Sequence, residues 1–293
     1  MACYNPLRAY FGRKRAGKNS IVWTPKESVR GETLNLPCGG CIGCRLDRSR
    51  DWAQRCWHEA QLHEDNCFIT LTYDPEHMPA NGSIDVREFQ LFIKKLRFKY
   101  GKGIRYFHCG EYGEKLARPH YHALLFGFDF PDKYLWSVRN GNNLYRSQAL
   151  EELWGKGFCT VGSVTVESAG YVARYVMKKV TGDKAEDHYN GKAPEYITMS
   201  RRPGIGHDWY KKFRGDFFPS DQSVVNGSVV KPPRYYANLL DKEDNVMYKE
   251  LKARRKIKGL QKAWDNDSFR LPVKEVVKKA AIAALSRPLE INS

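Results

Sequence analysis

The chain has 293 residues, with 49 Lys and Arg against 33 Asp and Glu, a formal net charge of +16. A chain of this length buries a core in one or two domains. Its 42% hydrophobic content excludes wholesale disorder, and no apolar run approaches the length that spans a bilayer. The opening Met1-Ala-Cys-Tyr-Asn-Pro6 has no apolar stretch of signal-peptide type. An intracellular protein with no membrane role is expected, and its charge favours a polyanionic partner, of which nucleic acid is the commonest. The excess charge sits at the ends: residues 1–60 carry +6, residues 61–229 only +3, and residues 230–293 carry +7. A compact middle flanked by two phosphate-binding ends is expected.

In chain order, residues 1–37 have no clear periodicity. Residues 45–63 read as a helix, with Trp52, Cys56, Ala60 and His63 at helical spacing. Cys67–Tyr73 alternates and is rich in β-formers, so it is expected to be a strand. A helix capped by Ser83 or Asp85 runs to about Tyr100, with Phe89, Phe92, Ile93 and Leu96 inward. Strands follow at 104–111 and 120–126, joined by a turn from Gly113 to Arg118. Residues 127–146 read as a loop, Ser147 caps a short helix ending at Trp154, and 158–166 is a fourth strand. Ser168 opens a helix to about Lys179. Residues 183–230 look loop-rich, 234–264 basic and helical, and 272–285 a last helix. The order is βαββαβ, which predicts an α+β fold with a ferredoxin-like antiparallel sheet and helices on one face. Three parts are expected: 1–63, Cys-rich with a helix; 64–182, the core; and 183–293, a basic, partly helical C-terminal region.

Cys38-Gly-Gly-Cys41-Ile-Gly-Cys44 has the C-x2-C-x2-C spacing that lets a backbone curl around one ion. Zinc takes about four thiolate or imidazole ligands, so a fourth must come from elsewhere. Cys3 is the first choice, and Cys56 and His58 are the alternatives. An iron–sulfur cluster uses the same spacing, but no second set of ligands or redox motif accompanies it here, so zinc is favoured. Cys67, Cys109 and Cys159 lie in apolar strand-like runs and read as small core residues.

In Arg118-Pro-His-Tyr-His122 the two histidines fall on one face of a strand. Glu111 ends the preceding strand, and a hairpin would bring its carboxylate beside them. Two imidazoles and a carboxylate hold one metal ion with positions left open for substrate oxygens. Further on, Tyr171 and Tyr175 are one helical turn apart, and Lys178 and Lys179 follow at helical spacing. Val172, Val176 and Val180 form a second row that can face the core. A phenol with an ordinary pKa of about 10 needs a nearby metal or lysine to act as a nucleophile at neutral pH.

These residues together resemble the HUH endonucleases that start rolling-circle replication, and more closely the replication initiators of small single-stranded DNA phages of the microvirus group, gokushovirus type. Phe68-Ile-Thr-Leu-Thr-Tyr73 is similar to the first initiator motif, Arg118–His122 to the His-hydrophobe-His motif, and Tyr171–Lys179 to the two-tyrosine motif. Cys3-Tyr-Asn-Pro6 with Pro37–Arg45 is similar to the N-terminal pattern of the phage group, and Ser200–Gly206 extends the likeness. The resemblance implies metal-dependent, site-specific nicking of the viral strand. Tyr171 or Tyr175 would form a covalent 5′-phosphotyrosine, leaving a 3′-OH primer, and rejoining would follow. It implies Mg²⁺ or Mn²⁺ on His120, His122 and Glu111, and Lys178 or Lys179 steadying phosphate or phenolate. DNA contacts would come from Thr70, Thr72, Tyr73, Arg118 and Arg174. Single-stranded and origin duplex DNA, host helicase and polymerase, and the host bacterial cytoplasm complete the expectation.

Three other readings use parts of the pattern. An Fe(II) oxygenase shares the two-His, one-carboxylate set but leaves the basic ends and tyrosines unexplained. A non-enzymatic zinc-containing DNA-binding protein accounts for the cysteines and charge alone. A plasmid-mobilisation relaxase is chemically similar but lacks the N-terminal cysteine pattern.

Overall fold

The computed structural model describes residues 3–284 except 16, 17, 30, 114, 115, 140, 179, 181 and 183; the side chains of 15, 18, 19, 139, 175–178 and 184 are likewise outside the description. The chain divides into two units. One is formed by residues 3–47 with 252–284, the other by Arg48–Leu251. This division differs from the expected three consecutive parts, because the last helical stretch joins the N-terminal residues.

The first unit contains β1 (Leu7–Arg15), β2 (Lys18–Val22) and β3 (Thr33–Leu36), an antiparallel sheet in the order β2-β1-β3. Its strands fall in the stretch where no periodicity was expected. Helix α1 (Ile42–Ala60) begins in this unit and ends in the other, starting three residues earlier than expected.

The second unit is built on β4 (Asn66–Thr72), α2 (Val86–Tyr100), β5 (Arg105–Tyr112), β6 (Pro119–Phe126), β7 (Tyr134–Arg139), β8 (Asn142–Arg146), α3 (Gln148–Trp154), β9 (Cys159–Ser163), α4 (Val166–Lys178), α5 (Lys184–Tyr189) and β10 (Tyr196–Met199). Helix α6 (His207–Phe217), the small hairpin β11 (Ser223–Val225) and β12 (Ser228–Val230), and α7 (Arg234–Glu243) complete it. Helix α8 (Asn245–Gln261) crosses into the first unit, where α9 (Arg270–Ala283) follows. No described helix is long and apolar enough to cross a membrane.

Seven described strands form one antiparallel sheet in the order β10-β5-β6-β4-β9-β8-β7. The expected loop at 127–146 contains the hairpin β7–β8, and the expected loop region after 182 contains β10. Each extends one edge of the expected four strands.

Side chains alternate across the sheet. Cys67, Ile69, Leu71 and Tyr73 of β4 and Tyr121, Ala123 and Leu125 of β6 pack against Phe89, Phe92, Ile93 and Leu96 of α2 and Leu150 and Trp154 of α3. Asp85 caps α2 through the Arg87 N–H at 2.8 Å, and Ser147 caps α3 through the Leu150 N–H at 3.1 Å, as the sequence suggested. The opposite face is also covered, which corrects the expectation of helices on one face. Phe107 and Cys109 of β5 and Leu124 and Phe126 of β6 pack there with Cys56 and Ala60 of α1 and Ala169, Tyr171 and Val172 of α4. Burial on both faces explains why β6 is nearly continuously apolar past His122. Cys67, Cys109 and Cys159 are core residues. A third cluster joins Tyr210, Phe217, Tyr236 and Leu240 of α6 and α7, and His58 of α1 donates to or accepts from the Tyr236 hydroxyl there at 2.9 Å. At the entry to β9, Gly157 has φ +137°, and a Cβ would lie 2.3 Å from the Asp74 nitrogen, so only glycine fits.

Glu59 ties α1 to the sheet. It is 3% exposed, pairs with Arg105 of β5, and accepts from the Gly206 N–H at 2.6 Å. Burial alone would raise its pKa. His63, the Gly206 amide and Arg105 outweigh that and hold the carboxyl below its ordinary value. A depressed carboxylate stabilises the fold above its unfolded pKa of about 4.3, and that stabilisation is lost as pH falls through the folded value. Glu59→Gln is expected to lower unfolding free energy by about 3–5 kcal/mol at pH 7. The gap to the unmodified protein should close toward pH 3 in urea titrations; a gap that stays constant with pH would contradict this role.

Candidate active site

The β5–β6 register sets Glu111 opposite His120 and Cys109 opposite His122, and the β4–β6 register sets Thr72 opposite His120 and Thr70 opposite His122. All these side chains therefore lie on the face that α1 and α4 cover. Oε1 of Glu111 is 2.7 Å from Nε2 of His120 and 3.0 Å from Nε2 of His122. Nδ1 of His120 is 3.1 Å from the Arg118 carbonyl oxygen, and Nδ1 of His122 is 2.9 Å from the Thr70 hydroxyl.

The carbonyl can only accept, so His120 carries a proton on Nδ1. In the neutral ring that leaves the Nε2 lone pair aimed at the site. Thr70 can hold His122 in the same tautomer. One ligand atom from each of Glu111, His120 and His122 lies within 4.8 Å of the others. Two imidazole nitrogens and a carboxylate oxygen, each imidazole oriented through its other nitrogen, are a donor set and an outer shell that fit a divalent ion. Glu111 is 2% exposed. Burial by itself would raise its pKa, but hydrogen bonds and charge from His120 and His122 outweigh that and hold the carboxyl well below its ordinary range.

Helix α4 enters with reciprocal capping, the Thr165 N–H donating to the Ser168 hydroxyl at 2.8 Å and the Ser168 N–H to the Thr165 hydroxyl at 3.1 Å. It brings Tyr171 against the site. The Tyr171 ring stands edge-on to His122 with centroids 5.4 Å apart, and edge-on to Phe68 at 6.0 Å. Tyr171 is buried in the same cluster as Val172, so the two rows of α4 are less separate than expected. Arg174 lies 5.6 Å from the Tyr171 ring centroid. Tyr175 and Lys178 belong to α4, but their side chains fall outside the described residues, as does Lys179 altogether.

The expected DNA contacts separate into three groups. Thr72 is half-buried on the site face beside His120. Thr70 is buried and orients His122, and Arg118 donates to the Tyr73 carbonyl at 2.9 Å while its own carbonyl holds His120. Tyr73 is corrected: it points to the other face, 3% exposed, with its hydroxyl 3.0 Å from that of Tyr121 and its ring against Trp154. It is a core residue, placed there by the two-residue alternation of β4 from Ile69 and Leu71. That alternation was available in the sequence.

Within the first unit, the structure brings Cys3 together with Cys38, Cys41 and Cys44, all four sulfurs within 4.8 Å. The Cys38 N–H donates to Cys3 Sγ at 3.3 Å, and Cys41 Sγ accepts from the N–H groups of Tyr4 at 3.3 Å and Cys44 at 3.5 Å. Burial pushes these thiols up, and Cys3 is raised; the hydrogen bonds at Cys41 reverse the effect there, to about 7. A thiolate stabilised by backbone N–H groups among three further sulfurs fits a metal ion. The alternatives for the fourth ligand lie elsewhere: Cys56 in the core under α1, and His58 on Tyr236.

Residues 66–180 match the family model of the phage replication-associated proteins described by the ORF2 and gene-2 proteins. The replication-associated protein VP4 of Bdellovibrio phage phiMH2K is 36% identical over 275 residues, which cover 90% of this chain and 84% of that protein. The chain belongs to the phage replication-associated proteins of microvirus type. Within that family, the replication-associated protein ORF2 of Spiroplasma virus 4 is 30% identical over 266 residues, 83% of this chain and 81% of that protein. The replication-associated protein ORF4 of Chlamydia phage 1 is 35% identical over 224 residues, 73% of this chain and 55% of that longer protein. No solved structure matches the chain. The region matched by the family model encloses Glu111, His120, His122, Tyr171 and Tyr175, whereas the four cysteines lie outside it.

For the cysteine site, metal analysis of the purified protein is expected to find one tightly held ion per chain that Cys3→Ser loses, with the circular dichroism of the second unit's helices retained. Full metal content in Cys3→Ser would remove Cys3 from the ligand set.

Proposed function

We propose that this replication-associated protein is a rolling-circle initiator of the HUH endonuclease type, which nicks and rejoins the phage strand through a covalent tyrosine intermediate. The observation that carries the reading is the convergence of Glu111, His120 and His122 on one sheet face, with Tyr171 packed edge-on against His122. The antiparallel order β5-β6-β4-β9 supports a ferredoxin-like βαββαβ core, with α2 after β4 and α3 before β9. On this reading the hairpin β7–β8 is an insertion and β10 an added edge strand.

Mg²⁺ or Mn²⁺ on the triad would draw charge from a phosphate oxygen and offset the charge that develops in the transition state. The protein's residues do the remaining work. Thr70 and the Arg118 carbonyl fix the two imidazoles. The phenol oxygen of Tyr171 or Tyr175 attacks phosphorus; the tyrosine O–P bond forms as the bond from phosphorus to the 3′ oxygen breaks. The phenol proton passes to solvent, and the departing oxygen takes up a proton to become the 3′-OH primer. Lys178 or Lys179 steadies the phenolate or phosphate, and Arg174 and Thr72 contact the strand. After one round the second tyrosine cuts the regenerated origin in the same way. The new 3′-OH then attacks the first phosphotyrosine, releasing that phenol and closing the circle. Host helicase and polymerase would act with it in the bacterial cytoplasm, on single-stranded and origin duplex DNA. The four-cysteine site would hold structural zinc.

The test incubates the protein with a labelled single-stranded origin oligonucleotide and Mn²⁺ or Mg²⁺, then separates the products on a denaturing gel. A labelled protein adduct is expected that requires the metal, fails in His120→Ala and disappears in the Tyr171→Phe/Tyr175→Phe double variant. Each lost catalytic group should cost at least two orders of magnitude in rate. Salt-sensitive DNA binding with no adduct from any phage-derived DNA would instead support a non-enzymatic binding protein.

A further inference from the structure

We propose that the hairpin β7–β8 and the start of β9 form a stacking platform for the single strand, continuous with the metal triad, which takes bases flanking the scissile phosphate. The inference rests on the nuclease reading above and names a site for its substrate.

The argument starts from register. Glu111 lies opposite His120, and His120 opposite Thr72. Between β4 and β9, Thr70 lies opposite Thr160 and Leu71 opposite Cys159. One step further the same register sets Phe158 beside Thr72, whose N–H donates to the Phe158 carbonyl at 2.9 Å. Directly opposite residues of an antiparallel pair share a face, so Glu111, His120, Thr72 and Phe158 form one row across the sheet.

The row does not stop at Phe158. Trp136 of β7 stands edge-on to it, with centroids 5.3 Å apart and an interplanar angle of 63°. The Arg146 guanidinium of β8 lies 4.9 Å from its ring centroid. Tyr134 follows, opposite Arg146 in the hairpin register. Strand spacing of about 4.8 Å puts Phe158 on the order of 10 Å from His120, and β7 about twice as far.

These rings are not core residues: Phe158 is 40% exposed, Trp136 41% and Tyr134 55%. An open aromatic row on a sheet whose other positions are mostly covered is a binding feature. The guanidinium is held against Phe158 by Glu151, whose Oε1 accepts from it at 2.6 Å. That pairing leaves a flat, partly neutralised stacking surface. Nucleic-acid bases suit it, since every base has a π-face and stacking tolerates sequence. Bases inside a duplex are already stacked on each other, so the occupant is single-stranded DNA, the strand that must reach the triad. A second copy pairing with the β7 edge is the competing occupant. The register slip between Leu135 and Ser137 works against it, because a bulge interrupts edge pairing.

The test uses the full chain and a fluorescein-labelled thymidine 15-mer in EDTA, with anisotropy as the readout, so that binding is measured without cleavage. Trp136→Ala and Phe158→Ala are each expected to weaken binding about tenfold, and Trp136→Phe to restore most of it. His120→Ala should leave it unchanged. Wild-type binding with equal affinity in both alanine variants overturns the platform while leaving the nuclease reading intact. A sedimentation-detected dimer abolished by Trp136→Ala, with DNA affinity untouched, assigns the face to a second copy and also overturns it. Failure of the wild-type protein to bind any single strand overturns both.

Discussion

One carboxylate oxygen organises this molecule's candidate chemistry. Oε1 of Glu111 meets Nε2 of both His120 and His122 in a setting that water barely reaches. A carboxylate so buried is costly unless donors or positive charge meet it, and here two imidazoles do. The arrangement depends on sheet register. A one-residue slip of β6 against β5 would turn both histidines to the opposite face. The register is held by apolar burial on both sides of β6, Tyr121, Ala123 and Leu125 against α2 and α3, and Leu124 and Phe126 against α1 and α4. The core is thus the device that aligns the site, and Glu59 with Arg105 helps anchor one of the covering helices.

Much of this is legible in the sequence, for physical reasons that differ by element. The strict alternation of Cys67–Tyr73 and the capped, four-membered apolar face of α2 identify those elements directly. The triad is readable because His120 and His122 are two apart and Glu111 ends a hairpin-compatible strand. The cover on the second face is not readable in the same way. It comes from α1, distant in sequence from the strands it packs on, and from α4, where buried Tyr171 and Val172 sit side by side. The strands β1–β3 escape notice because their alternation is broken by Gly and charge and they bury little: Leu7 and Ile21 stay exposed. The hairpin β7–β8 escapes because its aromatics face solvent, and β10 because four half-buried residues carry too little pattern.

The two basic ends of the chain also gain a meaning that composition alone did not supply. Residues 3–47 and 252–284, which share one unit, hold 18 Lys and Arg against 6 Asp and Glu, a net +12 out of +16. The four-cysteine cluster lies in that same unit. The second unit, nearly balanced in charge, holds the triad, Tyr171 and the aromatic row. General affinity for phosphate and the bond-making residues are therefore assigned to different parts of one chain, as expected when positioning on nucleic acid and chemistry on it make different demands.

The most direct measurement is a crystal structure of the protein grown with Mn²⁺, with anomalous difference maps collected near the manganese edge. The account predicts a peak between Nε2 of His120, Nε2 of His122 and Oε1 of Glu111, each within about 2.0–2.3 Å of it. Both Nδ1 atoms should still be held by Arg118 and Thr70. A map with no peak there, and with Glu111 still bridging the two imidazoles at saturating Mn²⁺, would contradict it.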